Sequence, residues 1–453
     1  MEESKRVLII STDSHASTNA EGYRPYLDPE YVDQLDDLIE RGALYTHYTE
    51  IMSRFPDEAL DIIDTEGAIR SGGALGAFDV HRRLAEMDRE GVAAEMILPG
   101  AGHGTILPFF SAGNEPYPAD VRAAGARAYH RWIAEMMEQA NGRMMAVANP
   151  GPCLDMDETI KDLHWVASHG FPSVSVPGVI EDPDLPPITD DHFEPFWKSC
   201  ANLGLVLSVH AGDRQPQGKW TKYFERLEAL GAAQDGRSLQ QSLMVAEGSP
   251  FDLDLGPAQV MWSLMLAGVF DRYPTLQLVL TEVRADWVPA TLALLDERFA
   301  SGATSLKKSP SEYWHNNVWA GVTSIKESEI RLRHEIGVDR MMFGRDFPHP
   351  EATWPNTWDW IRDAFAEVPE VEVRAILGEN ALKCYGIDPK PLLAIAEKIG
   401  PRIEDLIGGT HSVDPRILDH FASRAGYRKS YETIDVEALS LLFEQDVAAT
   451  SHK

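Results

Sequence analysis

Short apolar runs alternate along the chain with longer segments whose apolar residues recur at three- and four-residue spacing. The runs cover residues 7–12, 94–98, 144–148, 173–177, 205–210, 276–282, 317–321 and 340–346. Their length and content predict buried strands. The intervening periodicity predicts helices near 79–91, 119–141, 155–168, 190–202, 257–271, 286–299, 325–335, 355–366 and 371–384. Strand and helix in strict alternation imply a parallel sheet. Eight such units predict an α/β fold closed as a (β/α)8 TIM barrel. An open doubly wound sheet is the weaker reading, because no GxGxxG follows a strand and ligand-type residues end at least four separated strands.

Two stretches break the rhythm. Residues 16–78 are rich in Tyr, Asp, Pro and Gly, and residues 212–256 begin with Gln, Gly and Lys. Both are expected to be long insertions that cap the mouth of a barrel spanning 1–388. Their aromatic residues, Tyr23, Tyr26, Tyr45, Tyr48, Phe55, Trp220, Tyr223 and Phe224, suit either a roomy pocket or simple packing. Residues 389–453 carry no strand pattern and predict a helical C-terminal extension.

The 453 residues include 71 acidic and 41 basic side chains, a formal net charge of −30. That excess disfavours nucleic acid and anionic membrane surfaces, whose phosphates it would repel. No stretch approaches the ~18 apolar residues of a membrane span. Three widely spaced Cys without a CxxC fit free thiols in a reducing compartment, and the first residues carry no cleavage-site pattern. The cytoplasm is therefore the expected location, and a small molecule the expected partner of a homo-oligomeric enzyme.

The chemistry gathers at strand ends. The first run leads into Asp13-Ser14-His15, whose two-residue spacing puts both side chains on one face of a strand. The fifth ends in His210, the sixth in Glu282, and the eighth in Asp346, followed by Phe347-Pro348-His349-Pro350-Glu351. A buried Glu needs a metal or a cation beside it. Together Asp13, His15, His210, Asp346 and Glu282 read as a metal shell, with His103, in the Gly-rich loop after the second run, as a further candidate ligand. Asp346 is placed to act as a base on a metal-bound water, His349 and Glu351 to stand beside it, Arg345 to pair Asp346, Glu282 or a substrate carboxylate, and Arg284 to pair Glu282 or a substrate carboxylate. No GxSxG nucleophile elbow and no phosphate-binding Gly-Lys-Ser/Thr loop is present.

These motifs resemble the amidohydrolase-related (amidohydrolase 2) family, which includes aminocarboxymuconate-semialdehyde decarboxylase-like enzymes. The resemblance covers about residues 5–388. It rests on Asp13-x-His15, His210-Ala-Gly, the approach from Phe270 to Thr281-Glu282, and Gly344-Arg-Asp346-Phe-Pro-His349-Pro-Glu. It implies a divalent ion held by Asp13, His15, His210 and Asp346. Many relatives open with His-x-His and carry His where Glu282 stands. An oxygen-richer shell moves preference from zinc toward manganese or iron, and its carboxylates are able to bridge two ions. The implied activity is a metal-dependent hydrolase or nonoxidative decarboxylase of a small organic substrate. The alternative is a dinuclear iron or manganese–iron monooxygenase on the same barrel.

Overall fold

In the computed structural model the described residues are 6–40, 55, 57–100, 107–110, 117–178, 182, 184–213, 252–349, 352–408, 412–424 and 436–450. Among the described residues there are nine strands: β1 (Ile9–Ser11), β2 (His15–Ala16), β3 (Val92–Pro99), β4 (Met144–Ala148), β5 (Ser173–Ser175), β6 (Val206–His210), β7 (Leu278–Thr281), β8 (Val318–Thr323) and β9 (Met341–Gly344). The hydrogen-bonded order is β1-β3-β4-β5-β6-β7-β8-β9, all parallel, with β2 extending the first strand beside β3. Helices stand between the strands, including Val80–Arg89, Ala119–Gln139, Met156–Ser168, Glu194–Leu203 and Val288–Ala300. This is the expected (β/α)8 barrel, and each of the eight apolar runs supplies one of its staves.

The ring closes without a regular ladder. Thr12 N donates to Phe343 O (2.8 Å), Asp346 N to Asp13 O (2.9 Å) and His15 N to Phe347 O (2.7 Å). This seam joins residues more than 330 positions apart along the chain.

Alternation along each strand sorts the core into two layers. Met342, Met145, Val147, Ala94, Met96, Leu8 and Ile10 fill the interior, whereas Met341, Phe343, Met144, Ala146, Val92 and Ile9 face the helices. A barrel filled in this way is a packed core rather than a pore. The helix Asn380–Tyr385 adds Ala381, Cys384 and Tyr385 to the interior cluster, and Leu392 and Ala396 of the helix Pro389–Ile399 join it. The helix Pro389–Ile399 thus packs one face onto the interior cluster beside β3.

The described part of residues 16–78 contains short 3-10 turns, Ala20–Tyr26, Pro29–Gln34 and Gly73–Ala77, and helical stretches at 35–40 and Asp57–Ile63. Of the aromatic residues expected there, Tyr23 is fully buried in the outer core, while Tyr45 and Tyr48 fall outside the described residues. So do Trp220, Tyr223 and Phe224 and nearly all of the second insertion. Among the described residues, no helix is long and apolar enough to cross a membrane.

Candidate metal centre

The site lies where the strands end, on the C-terminal face, the usual location of barrel active sites. Asp13 and His15 flank the junction of β1 and β2. His210 is the last residue of β6, Glu282 follows β7 by one position, and Asp346 and His349 follow β9. In-register pairing of His210 with Thr281 sets Glu282 beside the imidazole. Glu282 (φ 61°) and Asp346 (φ 58°) both adopt left-handed backbone. That conformation costs a non-glycine residue roughly 1–3 kcal/mol and concentrates at functional sites.

The six side chains meet. His15 Nε2 lies 3.4 Å from Asp13 Oδ1 and 3.2 Å from Asp346 Oδ1. His210 Nε2 is 3.7 Å from Asp13 Oδ1 and 3.0 Å from Glu282 Oε2. His349 Nδ1 approaches Asp346 Oδ1 to 3.0 Å, and its ring stacks on His15 with centroids 4.0 Å apart. Three triads each place one ligand atom per residue within 4.8 Å of the others: Asp13–His15–His210, His15–Asp346–His349 and Asp13–Glu282–Asp346.

The surroundings fix how these groups point. The Thr323 hydroxyl donates to Asp13 Oδ2, which leaves Oδ1 for the centre of the cluster. His210 Nδ1 is 2.7 Å from Ala211 O, which places its proton on that nitrogen and frees Nε2, and Asp213 Oδ2 accepts from His210 N at 2.9 Å. Gly344 has no substitute: a Cβ there would lie 2.4 Å from Thr323 Oγ1 and 2.8 Å from Asp13 Cβ. Gly100 likewise allows the backbone to pass the His15 ring, 2.4 Å from Nδ1 to the place of a Cβ.

Charge follows from these contacts. Burial would raise the Asp13 carboxyl, yet the imidazoles of His15 and His210 beside it hold it well below its ordinary value. Burial, aided by neighbouring His349, pushes His15 down to about 3, so its imidazole is neutral. For His210 burial acts downward, but Asp13 prevails and raises it to about 9.

A divalent cation fits this arrangement. Asp13 Oδ1, His15 Nε2 and His210 Nε2 are buried and accept or donate no hydrogen bond. Three buried carboxylates converge with three imidazoles, and buried charge of one sign is costly without compensation. Mixed carboxylate and imidazole donors suit manganese, iron or zinc.

One sequence expectation changes. The fully buried Arg345 does not reach Asp346 or Glu282. Its Nη1 donates to Glu90 (2.6 Å) and its Nε to Glu95 (2.5 Å), on the outer side of the barrel wall. Successive strand residues face opposite sides, so the neighbour of an inward-facing Asp346 points outward. Arg284 is likewise engaged, with Asp286 (3.0 Å) and Glu329 (3.4 Å). His103 and Glu351 lie outside the described residues. The sequence reading passed over Thr323 and Glu95. Glu95 had a signal: it is the only charged residue in the apolar strand Val92–Pro99.

The profile of the amidohydrolase family matches residues 51–387. Among solved structures, 5-carboxyvanillate decarboxylase from Sphingomonas paucimobilis is similar at 18% identity and a TM-score of 0.55, over 84% of this chain and 100% of that one. An amidohydrolase from Mycobacterium avium subsp. paratuberculosis gives 19% identity and 0.57, over 84% and 99%. A dihydroxybenzoic acid decarboxylase from Polaromonas, solved with manganese and the inhibitor 2-nitroresorcinol, gives 16% and 0.51, over 84% and 97%. At these identities the likeness is one of fold. The match over most of the chain makes this protein a member of the amidohydrolase family, an enzyme superfamily whose barrel here carries residues able to hold a divalent metal ion.

Proposed function

We propose that the protein is a metal-dependent nonoxidative decarboxylase of a small aromatic carboxylic acid. The observation that carries the reading is the convergence of Asp13, His15, His210, Glu282 and Asp346 at one barrel mouth, with His349 against Asp346. The similar structures named above as decarboxylases support the reaction class. Asp13, His15, His210 and Asp346 would hold the ion, with Glu282 beside them. When bound, a divalent ion supplies a Lewis acid that orients an oxygen-bearing substrate and offsets the carboxylate charge.

The chain's own groups then manage the proton. The Asp346–His349 contact is a proton-holding pair beside the shell. It hands a proton to the carbon that bears the carboxylate. The bonding pair of the departing C–C bond stays on that carbon, and carbon dioxide leaves. No oxidant is needed.

Hydrolysis is the second reading, favoured by the family the chain belongs to. There Asp346 takes the proton of an attacking water. The oxygen-dependent alternative draws no support from the similar structures. We also assign residues 1–388 to the barrel and 389–453 to its helical extension.

The test is a panel of hydroxybenzoic acids, amides and lactones given to manganese-loaded protein, with carbon dioxide and organic products both quantified. Carbon dioxide and the matching phenol in equal amounts are expected. Cleaved amide or lactone without carbon dioxide would replace decarboxylation by hydrolysis, and no turnover on either set would remove both.

A further inference from the structure

Behind the ligand shell, on the outer side of the barrel wall, four charged side chains are buried together: Arg83, Glu90, Glu95 and Arg345, each at most 3% exposed. Two cations and two anions balance. Glu95 is their hub. It accepts from Arg83 Nε at 2.7 Å through Oε2, from Arg345 Nε at 2.5 Å through Oε1, and from the Ser14 hydroxyl at 3.1 Å.

Two of those partners lie in segments that carry a ligand, and the third, Arg83, bonds such a segment. Ser14 separates Asp13 from His15. Arg83 Nη1 donates to His15 O at 2.8 Å. Arg345 precedes Asp346, and its backbone N donates to Ser11 Oγ at 3.0 Å, while that hydroxyl donates to Asp13 O at 2.7 Å. Both sides of the seam are thus tied to one carboxylate on β3. The seam has no regular ladder to set its register, yet it supplies Asp13, His15 and Asp346. Glu90 differs: it pairs Arg345 and accepts from Thr357 N at 2.9 Å, with no bond to the Asp13–His15 segment.

We propose that Glu95 is a positioning residue for the metal centre, fixing the β1–β9 seam so that Asp13, His15 and Asp346 converge. The inference rests on the metal-site reading above. A buried carboxylate shared by two guanidinium groups sets direction as well as charge, since each planar fork admits few approach angles. Partners behind a ligand shell typically change metal affinity 10- to 100-fold.

The test is manganese affinity of the full-length protein, measured by competition with a chromophoric chelator, beside thermal unfolding of the metal-free form. Glu95→Gln is expected to weaken manganese binding about 10- to 100-fold. Glu90→Gln, which strips a carboxylate from the same Arg345, is expected to lower the unfolding temperature comparably and to keep affinity within about threefold. Ser14→Ala, a small change that tolerates misfolding risk better, is expected to weaken binding in the same direction as Glu95→Gln. Unchanged affinity in folded Glu95→Gln or Ser14→Ala, or equal losses in Glu90→Gln and Glu95→Gln, would overturn the assignment. Wild-type protein that binds none of manganese, iron and zinc would sink the metal-site reading and this inference together.

Discussion

Replacing Thr323 by Val removes one hydroxyl and almost no volume from the wall of the site. Thr323 is 2% exposed, and its hydroxyl donates to Asp13 Oδ2. The carboxylate is fully buried, so water cannot take over the lost bond. A hydrogen bond to a charged group is worth about 1.5–3 kcal/mol, and stranding a buried acceptor costs the upper part of that range. Thr323→Val should therefore lower stability by about 2–3 kcal/mol. It should also free the Asp13 carboxylate to rotate, weakening manganese binding about 10- to 100-fold. Urea unfolding of the metal-free protein measures the first effect, and chelator competition the second. Wild-type stability with wild-type affinity would refute the claim that this hydroxyl aims Asp13. Lost stability with intact affinity would confine its role to the core.

Glu282→Gly trades a left-handed Glu for a residue at ease there. Unfolding temperature should hold or rise while turnover is lost, and a marked drop in that temperature would show that the conformation carries no strain. Metal binding should respond to pH through His210. Its protonated form, raised to about 9 from 6.5, stabilises the metal-free fold fully below 6.5, and this contribution disappears as pH rises through about 9. Because a ligand imidazole must shed that proton, affinity should climb by about tenfold per pH unit up to that point; a flat titration from pH 6.5 to 9 would remove His210 from the shell. Leu392→Ala should cost about 2–5 kcal/mol in urea unfolding, as for other buried Leu truncations. A surface-like cost would contradict the packing of the Pro389–Ile399 helix on the interior cluster.

The barrel was legible because burial on both faces makes parallel strands near-continuous apolar runs, and eight of them stand out against amphipathic helices. The helix Pro310–Asn317 escaped notice even though Ser309 and Glu312 form a capping box before it. It is only two turns long, and periodicity needs a longer window. The ligand candidates were legible because a carboxylate or imidazole closing an apolar run has few other uses. Arg345 is next to Asp346 in sequence but not in space: its guanidinium turns to Glu90 and Glu95 while the Asp346 carboxylate turns to His15 and His349. Glu95 and Thr323 act through contacts that join distant segments, 81 positions from Ser14 to Glu95 and 310 from Asp13 to Thr323. A local pattern carries no trace of such pairings.

The seam has a bearing on how the enzyme comes into being. During synthesis the segment bearing Asp13 and His15 emerges first, and the strand that must lie beside it emerges more than 330 residues later. At about 5–20 residues per second that is an interval of tens of seconds. Throughout it, the first two donors have neither Asp346 nor the wall that orders them. Capture of the ion is thereby deferred until the last stave arrives, and an interrupted nascent chain offers it no finished nest. The join that brings Asp13, His15 and Asp346 together is thus among the last that the growing barrel can make.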